Sequence, residues 1–250
     1  MISYRTPAPT ALKRHLILPD IHAPYHDARA WRLVMKVARA FAWDTCLSLG
    51  DFHDFYAVSF HPKNPNREHL LEKELRQARP LVHDLNTVPF RQRLMVKGNH
   101  EHRLDRYLMD KAPQLYNLVR EQDLLGFGEG KWHIVEYRDD LTIGRLYATH
   151  DVGSAGALAV FNAYQDNVVT GHDHQMCYLV RGNAKGVAHV SATFGWLGDV
   201  AKVDYMHKIK ARRNWALGFG VGYLRANGFI YLQPVPIVEY SCVVEGRLFT

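Results

Sequence analysis

Residues 93–101 read RLMVKGNHE, an apolar stretch (Leu94, Met95, Val96) that runs into Gly98, Asn99, His100 and Glu101. The first part has the make-up of a short buried strand, closed by a glycine that permits a tight turn. Loop residues at a strand end can converge on a ligand. Asn99 offers a neutral amide oxygen, and His100 is placed to protonate a leaving oxygen. A helix cap beside a histidine would look the same locally, so the flanking sequence decides the meaning.

Upstream the pattern of strand followed by polar cluster occurs twice. HLILP (15–19) leads to Asp20-Ile21-His22, and TCLSLG (45–50) leads to Gly50-Asp51, followed by Phe52-His53-Asp54. Alternation points Asp20 and His22 the same way if the backbone stays extended. Asp51 can bridge two cations through its two oxygens. Downstream, RLYATH ends in His150, and NVVTG (167–171) opens Gly171-His172-Asp173-His174. Two histidines at alternating spacing can each present a ring nitrogen to an ion. The chain holds 15 histidines, and histidine is both a common metal ligand and the usual acid or base at neutral pH. Carboxylate, imidazole and amide donors without thiolate suit Mn, Fe, Ni or Zn.

Taken in order, Asp-x-His, Gly-Asp, Gly-Asn-His-Glu, His and Gly-His-x-His resemble the calcineurin-like metallophosphoesterase superfamily. The resemblance runs from Asp20 to His174, about two-thirds of the chain; in compactness it extends to the phage and bacterial exonuclease-like members. It implies a four-layer αββα sandwich of two mixed β-sheets flanked by helices, with the site at strand ends. It implies that Asp20, His22 and His174 hold one metal, that Asp51 bridges, and that Asn99, His150 and His172 hold a second. His100 resembles the general acid. Glu101 would orient His100 or a neighbouring loop, and Arg103 would touch phosphate. Two divalent ions about 3.5–4 Å apart would activate water and neutralise phosphate charge. Manganese is the expected metal, with iron, zinc and nickel as alternatives. Two positions depart from the family pattern. Asp151 stands after His150, where a glycine is common. The second motif reads GDFHDFY, not the GDxxDRG of protein Ser/Thr phosphatases, which argues against a phosphoprotein substrate.

A chain of 250 residues suits one large α/β domain. We expect a loose arm over 1–14 and a single metallophosphoesterase domain over 15–250. Helices are expected over 28–42, 67–86, 102–125 with a break at Pro113, and 154–164. The Pro/Asn-rich 61–66 is a loop. KWHIVEY and RLYATH read as strands around a DDLTIG turn, and the C-terminal third as β-structure closing a second sheet. GFGVG (218–222) lacks dinucleotide-motif spacing and reads as a glycine-rich strand or turn. Cys46, Cys177 and Cys242 form no CxxC pair, so each is expected to pack as a small apolar residue. No apolar run reaches roughly 18 residues, so no membrane span is expected, and the N-terminus shows no signal-peptide pattern. A cytoplasmic protein is the default.

The net charge of +6 favours polyanionic partners through steering and counterion release. Lys208, Lys210, Arg212, Arg213 and Trp215 put basic side chains beside an aromatic, as single-stranded nucleic acid binding uses; a solvated basic face is the alternative. Tyr56, Phe60 and His61, in the loop after Asp51, are candidates for a groove wall. The leading expectation is a phosphodiesterase acting on DNA, RNA or nucleotides. A phosphomonoesterase or small-nucleotide hydrolase would use the same metals with a narrower pocket. A binding module on the same fold would be expected to have lost ligands such as Asn99 or His100, and both are present.

Overall fold

The computed structural model describes residues 12–66, 70–153, 157–182, 184–203 and 214–250. Its first sheet contains β1 (Lys13–Leu18), β2 (Thr45–Ser48), β3 (Gln92–Val96), β4 (His133–Val135), β10 (Gly218–Leu224) and β11 (Ile230–Pro236), in the order β11-β10-β1-β2-β3-β4. β1 to β4 run parallel, while β10 and β11 pair antiparallel at one side. The second sheet contains β5 (Leu141–Ile143), β6 (Leu146–Thr149), β7 (Val168–Thr170), β8 (Met176–Gly182) and β9 (Ala188–Phe194), in the order β5-β6-β7-β9-β8. Both sheets are mixed. A hairpin of β12 (Cys242–Val244) and β13 (Arg247–Phe249) closes the chain.

Side-chain alternation sorts the layers. Leu16 and Leu18 of β1 face a core shared with α1 (Ala28–Ala40), α2 (Leu71–Thr87) and α3 (Glu101–Lys111). Ile17 faces the other way, joining Leu47, Leu49, Leu146, Ala148, Val169 and Phe194 between the sheets. A strand buried on both faces favours a continuous apolar run, which is why Leu16, Ile17 and Leu18 show no polar alternation. α5 (Ala157–Tyr164) packs on β7, β8 and β9, with Val160 and Phe161 buried outside the inter-sheet core. The order is therefore helices, sheet, sheet, helix: the four-layer sandwich expected. α1 starts where Asp27 accepts the amides of Arg29 (2.8 Å) and Ala30 (3.0 Å), an N-cap. Gly220 is needed on β10: a Cβ there would lie 2.6 Å from the Phe194 ring.

The structure corrects several sequence expectations. β1 begins at Lys13, so the last two residues of the expected arm are already strand. The segments KWHIVEY and RLYATH do not form one hairpin. β4 pairs with β3 in the first sheet, and β6 lies in the second. The expected DDLTIG turn contains β5, which pairs with β6; the reversal falls on Gly144 at φ +62°. Helix 102–125 is broken as expected at Pro113, leaving α3 and the short α4 (Glu121–Leu125). The three cysteines are free, Cys46 and Cys242 buried and Cys177 half-buried. Among the described residues no helix is long and apolar enough to cross a membrane.

Candidate metal centre

Every motif follows the C-terminal end of a strand: Asp20 after β1, Asp51 after β2, Asn99 after β3, His150 after β6 and His172 after β7. β1 to β3 are parallel, as are β6 and β7, so these ends fall on one edge of the sandwich. That edge is where open α/β sheets bind ligands. The turns that carry the side chains are strained. His22 (φ +53°), Asp51 (+47°), His172 (+71°) and His174 (+56°) all occupy the left-handed region, which disfavours non-glycine residues. Asp20 and His22 meet, but not by the extended alternation expected, and the same correction holds for His172 and His174. Such strain persists where the surroundings over-determine it, and it clusters at functional sites.

Among the described residues three groups of ligand atoms come together: Asp20 with His22 and His174, Asp51 with His150 and His172, and His22 with Asp54 and His100. Asp51 lies near the histidines of all three. Its Oδ1 accepts the His100 amide at 2.9 Å, while its Oδ2 lies 3.4 Å from His150 Nε2 and 3.9 Å from His22 Nε2. Asn99 Oδ1 faces His150 Nε2 at 3.0 Å and His172 Nδ1 at 2.9 Å. Asp20 accepts the His172 amide through both oxygens, at 2.9 and 3.0 Å.

The donor pattern decides whether cations suit this cluster. His150 Nδ1 lies 2.7 Å from the Leu49 carbonyl and so carries its proton there. Its Nε2 then aims a lone pair at the oxygens of Asn99 and Asp51. Likewise His22 Nδ1 meets Asp54 Oδ2 at 3.1 Å, leaving its Nε2 facing His174 Nε2 at 3.0 Å. His174 Nδ1 is buried with no hydrogen-bond partner. Acceptors aimed at acceptors repel unless a proton or a cation lies between them. His150 shows the same demand: burial pushes its pKa down, yet the charges of Asp51 and Asp20 lift it to about 10. Burial pushes His174 well below its ordinary value, keeping it a neutral ligand. The residues fit divalent cations.

His100 lies at the same edge. Its Nδ1 is 3.2 Å from both the Asp54 carboxylate and the Asp54 carbonyl. Its Nε2 is 3.8 Å from Asp51 Oδ2 and accepts from Arg103 Nη2 at 2.8 Å. Arg103 Nη1 also donates to Asp54 Oδ1 at 3.0 Å. Asp54, almost fully buried, thus orients His22, His100 and Arg103 together. Against the cost of burial, the His100 charge and the hydrogen bonds from both histidines hold its pKa well below the ordinary carboxylate value. Its place three residues after Asp51, in GDFHD, was the sequence signal for it.

Glu101 binds backbone amides of two loops. Its Oε2 accepts the amides of Asp51 and Gly98, and its Oε1 that of His53, each at 2.8 Å. It therefore ties the loops after β2 and β3 to each other. Burial, then the Asp51 charge, push its pKa up to about 7, while the amide bonds act the other way. Asp151, the departure from the family pattern, turns to Tyr137 Oη (2.6 Å) and the Gly153 amide (2.9 Å).

Trp215 is half-buried beside the cluster. It lies against His174 (ring centroids 4.2 Å) and Trp196 (4.6 Å), while Trp196 is parallel-stacked on His174 at 4.7 Å. The pair packs against a candidate ligand, and no sequence signal marked Trp196. Lys208, Lys210, Arg212 and Arg213 lie outside the described residues. Of the expected groove aromatics, Phe60 and His61 are exposed and Tyr56 is buried.

No protein-family profile matches the sequence, and no curated protein matches it. Solved structures with a similar fold include a Vps29 single mutant from Entamoeba histolytica, 16% identical over 94% of this chain and 95% of that chain, with a TM-score of 0.44. NAD nucleotidase from Haemophilus influenzae is 13% identical over 90% of this chain and 49% of that one, with a TM-score of 0.39. Pseudomonas putida nuclease MPE is 12% identical over 88% and 87%, with a TM-score of 0.34. Likenesses this distant leave the function to the site's own residues.

Proposed function

We propose that the chain is a phosphodiesterase that uses two divalent metal ions and acts on nucleic acid or nucleotides. The convergence of Asp51 Oδ2, Asn99 Oδ1 and the Nε2 atoms of His22, His150 and His174 carries this reading. Asp20, His22 and His174 would hold one ion, Asn99, His150 and His172 the other, and Asp51 both. Manganese is the metal we favour for this oxygen and nitrogen donor set. When bound, the ions would activate a water and offset charge on the phosphoryl oxygens.

The remaining work falls to the chain's own side chains. His100 Nε2 faces the cluster and would deliver a proton to the departing oxygen once Arg103 turns from that nitrogen to the phosphate and Nε2 takes up a proton; Asp54 fixes the ring through Nδ1. Arg103, at His100 Nε2, supplies a guanidinium for a phosphate oxygen. Glu101 keeps the two ligand loops in register. The net charge of +6 supports a polyanionic substrate.

The test is Mn-dependent hydrolysis of bis-p-nitrophenyl phosphate beside p-nitrophenyl phosphate, with Asn99→Ala as control. The diester should be preferred, and Asn99→Ala should be inactive yet folded. Full activity in Asn99→Ala would remove the two-metal assignment. Preference for the monoester would replace the diesterase by a phosphatase.

A further inference from the structure

Beside His100 the surface gathers positive charge. Arg103, one turn along α3, is bound to Asp54 and His100 as described. Lys63 reaches in from the loop after the Tyr56–Val58 turn, against which α3 packs. Its ammonium donates to the carbonyls of Tyr56 and Ser59 (2.7 Å for Ser59) and stands 4.7 Å from the Tyr56 ring centroid. Arg106 is exposed, with its guanidinium 4.7 Å from the ring centroid of Phe60, itself 50% exposed. Lys63 and Arg106 form no ion pair among the described residues; carbonyls and aromatic rings are their partners. Burial and then the Arg103 charge hold the Lys63 pKa below its ordinary value, against the opposing charges of Glu74 and Asp54, so Lys63 and Arg103 feel one another. Like charges held together repel, and an anion placed among them relieves that repulsion.

We propose that Lys63, Arg106 and Phe60 form a subsite for the phosphate and base neighbouring the scissile bond, so that the substrate is a single-stranded oligonucleotide. Cations for phosphate and a ring for a base are the means by which single strands are held. Arg106 follows His100 by six residues, roughly 9 Å along the helix axis. That offset lies beyond a single phosphate group but within reach of the next one along a strand. A lone phosphate ester at the metal cluster would have nothing to place there. The inference names the substrate of the phosphodiesterase proposed above and rests on that reading.

The test uses the full chain, a fluorescein-labelled short oligothymidylate, fluorescence anisotropy and EDTA, with salt as the variable. Lys63→Gln/Arg106→Gln should bind at least about tenfold more weakly. Its plot of log affinity against log salt should be shallower by about 1.4, two phosphates at 0.7 each. Phe60→Ala should weaken binding with the slope unchanged. Arg106→Gln alone removes an exposed side chain and should lower the slope by about 0.7, which keeps the test decisive if the double variant unfolds. Wild-type slope and affinity in the Arg106 variant would overturn the subsite. Diester hydrolysis with manganese is a separate readout: its absence in the wild type removes the phosphodiesterase, while the slope in EDTA still decides the subsite.

Discussion

Replacing Glu101 by Gln keeps the side chain's size and removes its ability to accept three amides at once. The carboxylate holds Asp51 N, Gly98 N and His53 N at 2.8 Å each, and the residue is almost fully buried. An amide oxygen can keep at most the two bonds now made by Oε2. Its NH2 group would then face the His53 N–H, donor against donor. A hydrogen bond to a charged group contributes about 1.5–3 kcal/mol, and a buried donor without a partner costs about 1–3 kcal/mol. The raised pKa of Glu101 shows that its charge costs the fold part of this at pH 8, a cost that Gln avoids. A net loss of about 1–2 kcal/mol follows, and at about 2–4 °C per kcal/mol for a chain of this size unfolding should move down by roughly 2–8 °C. The loosened loops carry Asp51 and Asn99, so manganese affinity should fall about 10- to 100-fold. Urea unfolding and titration calorimetry at pH 8, where Glu101 is ionised, measure both. A Gln variant with wild-type unfolding and wild-type manganese affinity would refute the clamp.

Gly98→Ala should be worse than its one added methyl suggests. The new Cβ would lie 2.1 Å from Asp51 Oδ1 and 2.5 Å from Asp51 N, so Asp51 must move; bound manganese, measured by elemental analysis, should be largely lost. Asp54→Asn should lower both manganese affinity and kcat, each about 10- to 100-fold, because the ligand His22 and His100 both lose their orienting carboxylate; wild-type manganese affinity together with a wild-type pH–rate profile would contradict that role. Burial lowers the His15 pKa from 6.5 to about 4. The unfolded chain therefore takes up this proton first as pH falls, so stability is full above about pH 6.5 and declines toward pH 4 by up to roughly 3 kcal/mol. Both His15 ring nitrogens are buried without a partner. His15→Leu should therefore cost little at pH 7.5 and lose less than the wild type between pH 6.5 and 4, as urea unfolding at both pH values would show.

The strands that end in Asp20, Asp51, Asn99, His150 and His172 were readable in the chain because burial on both faces demands short apolar runs, and because each run stops at polar groups. Their order also pointed to one layered α/β domain. Sheet membership was not readable: β4 and β6 are similar short strands, and only packing sent one beside β3 and the other beside β7. Nor was the conformation that joins the site. Alternation would have served an extended turn, but His22, His172 and His174 reach the cluster through left-handed backbone, which neighbours must hold in place. Glu101 was visible as part of a motif, yet two of its three partners lie 48 and 50 residues away in the chain. Trp196 and Trp215 flank His174 from distant strands and loops. Residue type and strand ends are local properties, and the sequence by itself determined those. Which lone pairs meet, and which carboxylate orients which ring, depends on contacts between remote segments, and only the tertiary structure decided them.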